Sequence, residues 1–149
     1  MIRKVKPGSE WMKSFEQKTM ASHNELGKKG EDTAVEFLKE KQHEILMRNF
    51  RFHKAEVDII SKTESIIVFT EVKTRSSEKF GYPEEFVDRK KIRLMKEAAE
   101  EFMYQHNFQN EIRFDIISIT NEKGKLKIHH IEDAFFYEDD ELKNHSDFG

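Results

Sequence analysis

Four charged residues stand where charges are out of place. Asp58 lies between Val57 and Ile59-Ile60, inside an apolar run. Glu71 and Lys73 close a second run, Ile66–Phe69, and flank Val72. Glu31 lies near the apolar margin of a helical stretch, four residues before Val35 and seven before Leu38. Side chains two apart in a strand share a face, so Glu71 and Lys73 point the same way. A polar turn joins the two runs, which makes them neighbouring strands and lets Asp58 lie beside Glu71. A carboxylate buried alone is costly, and three close together repel one another, so something positive belongs among them. Lys73 offers one charge and a divalent cation offers two. Hard carboxylate oxygens without Cys or clustered His suit Mg²⁺ or Mn²⁺. An ion held by Asp58 and Glu71, with Glu31 supporting it directly or through water, could activate a water and neutralise charge on a scissile phosphate. Lys73 could orient that water or stabilise the pentavalent transition state. Acid, then acid-x-Lys, on adjacent strands is a compact kit for metal-assisted phosphodiester hydrolysis. Taken singly, each piece has a plainer reading. An E-x-K pair on a strand is ordinarily a solvated ion pair worth about 0–1 kcal/mol, and a turn could satisfy Asp58.

These residues need a scaffold, and the apolar spacing supplies one. From Asn24 to about Gln42 the pattern is helical, with Leu26, Gly30, Ala34, Phe37 and Leu38 recurring and Asn24 or Ser22 as candidate caps. Three strands follow at 43–52, 55–61 and 66–74. Short turns at 53–54 and 62–65 make them an antiparallel meander. The third strand begins apolar on both faces and belongs in the middle of a sheet. A loop over 75–83 leads to a long helix at 84–105, with Phe86, Leu94, Ala98 and Phe102 on one stripe. Two more strands, 111–119 and 125–131, are joined by a turn at 121–124. The long helix can act as a crossover packed on the sheet. Phe37, Phe50, Phe52, Phe69, Phe86, Phe102 and Phe114 sit at these periods and are read as core.

Composition narrows the function class. The 149 residues make one domain, and 13 Phe among 36% hydrophobic residues suffice for a core. Without cysteine there is no disulfide scaffold, Cys-based zinc site or thiol nucleophile. No stretch reaches the ~18 apolar residues of a membrane span, and no secretory signal is visible, so the expected location is the cytoplasm. The net charge is −3, but unevenly spread. Residues 1–22 carry five Lys/Arg against two acids and read as an N-terminal extension. Residues 138–149 form an acidic tail, expected to be flexible, and 23–137 form the domain. Within it, residues 48–96 hold twelve Lys/Arg against eight acids, room for a basic surface.

The segments LGKKGEDTAVEFL (26–38), ILMRNFRF (45–52), AEVDII (55–60), IVFTEVKTRS (67–76), FGYPEEFVDRKKIRLMKEAA (80–99), RFDIISI (113–119) and HHIEDAF (129–135), taken in order, resemble the UPF0102 (YraN) family. That uncharacterised family is regarded as a predicted endonuclease of the PD-(D/E)XK superfamily, distantly similar to archaeal Holliday junction resolvases. The resemblance implies an α/β restriction-endonuclease-like fold, a central mixed β-sheet flanked by helices. It implies a nuclease acting on DNA, branched DNA included. By position, Glu31 matches the glutamate of the family's G-E-x-x-A motif, Asp58 the aspartate of its G-E-I-D, and Glu71 and Lys73 its E-V-K. Ala55 departs from the family's usual Gly.

Further residues have two readings each. Glu56 shares a face with Asp58 and is a third ligand or a partner of Lys54 or Arg48. Lys90 lies on the stripe of the long helix and either reaches the site or lays its stem along the sheet. Arg75, Lys79, Arg89 and Arg93 flank the E-V-K loop and are candidate nucleic-acid contacts, or solvated charges. His129 and His130 face opposite ways in a strand and make no zinc pair. Arg113 and Asp115 share a face and can pair. A homodimer would suit cutting both strands of a junction, because protein symmetry can mirror that of the DNA. The expected function is thus a Mg²⁺- or Mn²⁺-dependent nuclease. The alternative is a non-catalytic nucleic-acid-binding module on a nuclease-like scaffold.

Overall fold

A computed structural model describes residues 27–75 and 88–135. Helix α1 occupies 27–40. It is followed by β1 (Glu44–Phe52), β2 (Ala55–Thr63), β3 (Ile66–Arg75), α2 (Arg89–Gln105), β4 (Glu111–Glu122) and β5 (Lys125–Ile131). The five strands form one sheet in the order β1-β2-β3-β4-β5. The first three are the expected antiparallel meander, β3 and β4 run parallel, and β5 returns antiparallel. Parallel neighbours need a long connection, and α2 lies within it. β3 is central, and Ile67, Val68, Phe69 and Thr70 are all fully buried, as an apolar run on both faces requires. The result is an α/β protein with a mixed sheet flanked by helices, the arrangement of the restriction-endonuclease-like class.

Each helix covers one face. α2 packs Met95, Ala98, Ala99, Phe102 and Met103 against Ile60, Ile67, Phe69, Phe114 and Ile116. α1 packs Ala34, Val35 and Leu38 against Ile59, Ile117 and Ile119 on the other face. Alternation along β4 assigns Phe114 and Ile116 to one cluster and Ile117 and Ile119 to the other. Ala55, the departure from the family pattern, is 2% exposed and fills space in the α2-side core.

Several boundaries differ from expectation. The long helix starts at Arg89, not 84: Asp88 is extended (φ −78°, ψ 170°) and its carboxylate accepts the Lys91 N–H at 2.8 Å, an N-cap. The residues 84–87 expected to begin this helix, Phe86 among them, lie outside the described residues, as do the extension 1–22, the tail 138–149 and the expected helical residues 24–26. Strands β2 and β4 run longer than expected, to Thr63 and Glu122. The β4–β5 turn tightens to Lys123-Gly124, both at positive φ (51° and 83°), which suits the twist of a two-residue hairpin.

Gly30 sets the distance between α1 and β3. A Cβ added there would overlap Thr74 Oγ1 and stand 3.4 Å from Thr74 Cβ. Gly30→Ala is expected to destabilise the fold by about 1–3 kcal/mol in urea unfolding, through overpacking. In a Thr74→Ala background the clash is gone, and the same change becomes neutral or stabilising by up to about 1 kcal/mol, as for Gly→Ala in helices generally. An equal cost in both backgrounds would contradict this packing.

Candidate active site

The site begins with an irregularity. Val57 belongs to the α2-side core and Ile59 to the α1-side core, although residues two apart in a regular strand share a face. Across from this step, Asn49 lies between the pairs Arg48↔Ile59 and Phe50↔Val57 and takes φ 52°. Asn tolerates this left-handed backbone better than most residues. The strand pair therefore turns over at Asn49 and Asp58. The β2–β3 pairing ends at Ile59↔Thr70. Beyond it the Asp58 side chain takes over: its Oδ2 accepts the Val72 N–H at 2.8 Å. Asp58 thus stands where β2 and β3 part, next to Glu71.

Glu71 is 3% exposed. Its Oε1 receives Lys73 Nζ at 3.2 Å from the same strand and Lys91 Nζ from the first turn of α2. Burial alone would lower the Lys91 pKa, but the Glu71 carboxylate outweighs it and holds the ammonium above its usual value. Among the described residues, Asp58 has no such cation in contact. Burial pushes its pKa up to about 7, the Glu71 charge adds to this, the Val72 N–H opposes it, and the Glu31 charge raises it further. Glu31, from α1, is 3.7 Å from Arg48 on β1, which binds Asp32 more closely at 2.7 Å. The three carboxylates singled out by sequence therefore share one electrostatic neighbourhood at the mouth between β2 and β3, with Lys73 on the same side as Glu71.

The other candidates fall elsewhere. Lys90 is exposed, and its neighbour Lys91 is the lysine that reaches Glu71. The buried stripe of α2 is Met95, Ala98, Ala99 and Phe102, and Lys91 lies four residues before Met95. A stripe drawn through Leu94 is one residue out of phase and selects Lys90 instead. Glu56 is exposed and pairs with Arg51 at 3.6 Å, its cross-strand partner, and not with Lys54 or Arg48. Arg89 and Arg93 are exposed on α2, and Arg75 ends β3 opposite Thr120. Lys79 lies outside the described residues. Lys91 and Arg48 are the cations beside the candidate carboxylates that the sequence does not single out.

A second polar cluster lies on the α1 face of the sheet, where Asp115 pairs with Thr70 one register step from Glu71 but shares the face of Ile117 and Ile119. Asp115 is fully buried and accepts two bonds from Arg113 at 2.9 Å, one from His130 Nε2 at 2.8 Å and the Asp133 N–H at 3.0 Å. Lys41 Nζ stands 2.8 Å from His130 Nδ1, so that nitrogen accepts and Nε2 donates to Asp115. Burial would raise the Asp115 pKa, but the bonds from His130, Arg113 and Asp133 win and hold it below the usual carboxylate value. The expected Arg113–Asp115 pair is present. His129 is exposed while the His130 side chain is 3% exposed, the opposite facing expected of strand neighbours.

A divalent cation fits the first site in its donor chemistry. Asp58 Oδ1 and Glu71 Oε2 have no hydrogen-bond partner among the described residues. Two hard oxygens are what Mg²⁺ usually takes from protein. Among the described residues no group of three or more His, Asp or Glu stands in ligating geometry, so Glu31 is not poised as a third direct ligand. No helix among the described residues is long and apolar enough to cross a membrane.

Fold and site together define an α/β protein with a carboxylate–lysine centre where two central strands part. The model of the uncharacterised protein family UPF0102 matches residues 30–119, which contain Glu31, Asp58, Glu71, Lys73 and Lys91. The UPF0102 protein of Christiangramia forsetii is 51% identical over 118 residues, covering 79% of this chain and 99% of the relative. That of Flavobacterium psychrophilum is 51% identical over 118 residues with the same coverage. That of Bacteroides thetaiotaomicron is 44% identical over 117 residues, covering 78% of this chain and 97% of the relative. The chain belongs to the UPF0102 family.

Proposed function

We propose that the protein is a Mg²⁺- or Mn²⁺-dependent nuclease that hydrolyses phosphodiester bonds in DNA, branched DNA being the candidate substrate. The observation that carries this reading is the crowding of Asp58 against Glu71. Two carboxylates from strands that separate at this point keep one unpartnered oxygen each among the described residues, and burial together with the Glu71 charge raises the Asp58 pKa to about 7. Asp58 and Glu71 would hold the ion, with Glu31 supporting it through water. When bound, it supplies an activated water and neutralises charge on the scissile phosphate.

The chain's own groups then divide the work. The Val72 N–H fixes Asp58 by one oxygen and leaves the other facing the site. Lys73 and Lys91 hold Glu71 from two elements, which orients its carboxylate at 3% exposure. In this reading both ammonium groups also offer donors to the charge that builds on the phosphoryl oxygens in the transition state, which is where a preorganised donor counts most. Arg48 offsets Glu31 from the far side.

The test is cleavage of a synthetic four-way DNA junction and of duplex DNA in Mn²⁺. Asp58→Ala is expected to lower the rate at least about a hundredfold. That follows because losing the ion forfeits several kcal/mol of transition-state stabilisation, at 1.36 kcal/mol per factor of ten. Equal rates for the variant and the wild type would overturn the proposal. The pairing of both lysines with Glu71 favours a second reading, a charge cluster that needs no ion in a nucleic-acid-binding module. That reading expects DNA binding without cleavage and without any effect of Mn²⁺.

A further inference from the structure

Beside the Glu71–Lys91 pair, between the β1–β2 turn and the start of α2, lies a cavity of about 300 Å³. Lys54, Lys90 and Lys91 line it, together with Glu56 and Asp88, over an apolar floor that includes Met95. The acids are occupied. Glu56 pairs with Arg51 at 3.6 Å, and Asp88 caps α2 through the Lys91 N–H at 2.8 Å. Lys91 is occupied too, by Glu71. Among the described residues, Lys54 and Lys90 have no ion partner, and both are exposed. With Glu56 set against Arg51 and Lys91 against Glu71, Lys54 and Lys90 outnumber the single Asp88 carboxylate, so the rim keeps a net positive charge one step removed from the carboxylate centre through Lys91.

We propose that this cavity seats a second phosphodiester of the same nucleic-acid strand, adjacent to the one at Asp58 and Glu71, with Lys54 and Lys90 as its ligands. The proposal rests on the nuclease reading and adds to it the direction in which the strand leaves the site: over the β1–β2 turn and along the first turn of α2. Phosphate is the ligand class that fits. The rim offers flexible, strongly hydrated point charges from two separate elements, which suit a phosphate oxyanion and read no base. Contacts of this kind position a strand and leave sequence unread.

The test is fluorescence anisotropy of the full chain with labelled single-stranded, duplex and four-way-junction DNA, in EDTA, across a range of salt. Lys54→Ala/Lys90→Ala should weaken binding on the order of tenfold and lower the salt slope by about one unit, equally across sequences. Lys54→Glu/Lys90→Glu should weaken it further, with circular dichroism confirming that both exposed substitutions leave the fold intact. Asp58→Ala should retain the wild-type salt slope while losing cleavage in Mn²⁺. If both lysine variants bind every DNA with wild-type affinity and slope, the subsite is overturned while the nuclease reading stands. If the wild type binds none of the three DNAs, the nuclease reading falls and takes the subsite with it.

Discussion

Asp115→Ala is expected to destabilise the protein by about 3–5 kcal/mol, the range seen when one partner of a buried ion pair is removed. Asp115 is fully buried and gathers four hydrogen bonds, from Arg113 twice, His130 and the Asp133 N–H. Its removal leaves the Arg113 guanidinium, 17% exposed in its side chain, without its counter-charge and releases the segment after β5. Against the 5–15 kcal/mol that holds a domain of this size together, such a loss is large. The carboxylate is depressed below its usual pKa, so the folded state binds its proton less readily than the unfolded chain. Its stabilising contribution is therefore complete above the ordinary value of 3.8 and is lost as pH falls through the folded value. Urea titrations at neutral pH read the effect directly. A cost under about 1 kcal/mol would mean the network is incidental.

Asp58→Asn should do the opposite to stability while removing activity. The Asp58 carboxyl is raised to about 7 from 3.8, so between those values the folded state keeps a proton that the unfolded chain has released. Stability of the wild type at this position falls as pH rises through that window, and the loss is complete above about 7. Asn keeps an oxygen for the Val72 N–H and carries no charge. By pH 8, without divalent metal, the variant should exceed the wild type by on the order of 2 kcal/mol, and the two should converge toward pH 4. Adding Mn²⁺ at pH 8 should raise the wild-type melting temperature and leave the variant unmoved, since an ion that binds only the folded state stabilises it by mass action. Parallel stability curves for the two proteins from pH 4 to 8 would contradict the placement of a strained carboxylate at Asp58.

What could be read in advance, and what could not, divides along the range of the interactions. The meander and the face shared by Glu71 and Lys73 follow from period-two alternation and short turns, which are local. The neighbourhood of Asp58 and Glu71 follows from the same arithmetic. The turning-over at Asn49 does not, because Asn tolerates a left-handed backbone without requiring it, and the bond from Asp58 to Val72 depends on that step. Lys91 escaped because the buried face of α2 depends on packing across the sheet. A phase error of one residue in a 3.6-residue period moves the choice to Lys90. The Arg113–Asp115 pair was readable at a spacing of two, whereas Lys41 meets His130 across 89 residues of chain, which only the closed sheet brings together.

The central claim is that Asp58 and Glu71 hold a divalent cation. Calorimetric titration of Mn²⁺ into the wild type and into Asp58→Ala/Glu71→Ala, at pH 8 and pH 6, tests it most directly. A ligand carboxylate must be deprotonated to bind, and a pKa of about 7 at Asp58 sets the size of the pH effect. The account predicts saturable binding by the wild type, weaker by roughly tenfold at pH 6 than at pH 8, and none by the double variant. No saturable binding by the wild type at pH 8, even beside a non-cleavable branched DNA, or equal binding by the double variant, would contradict it.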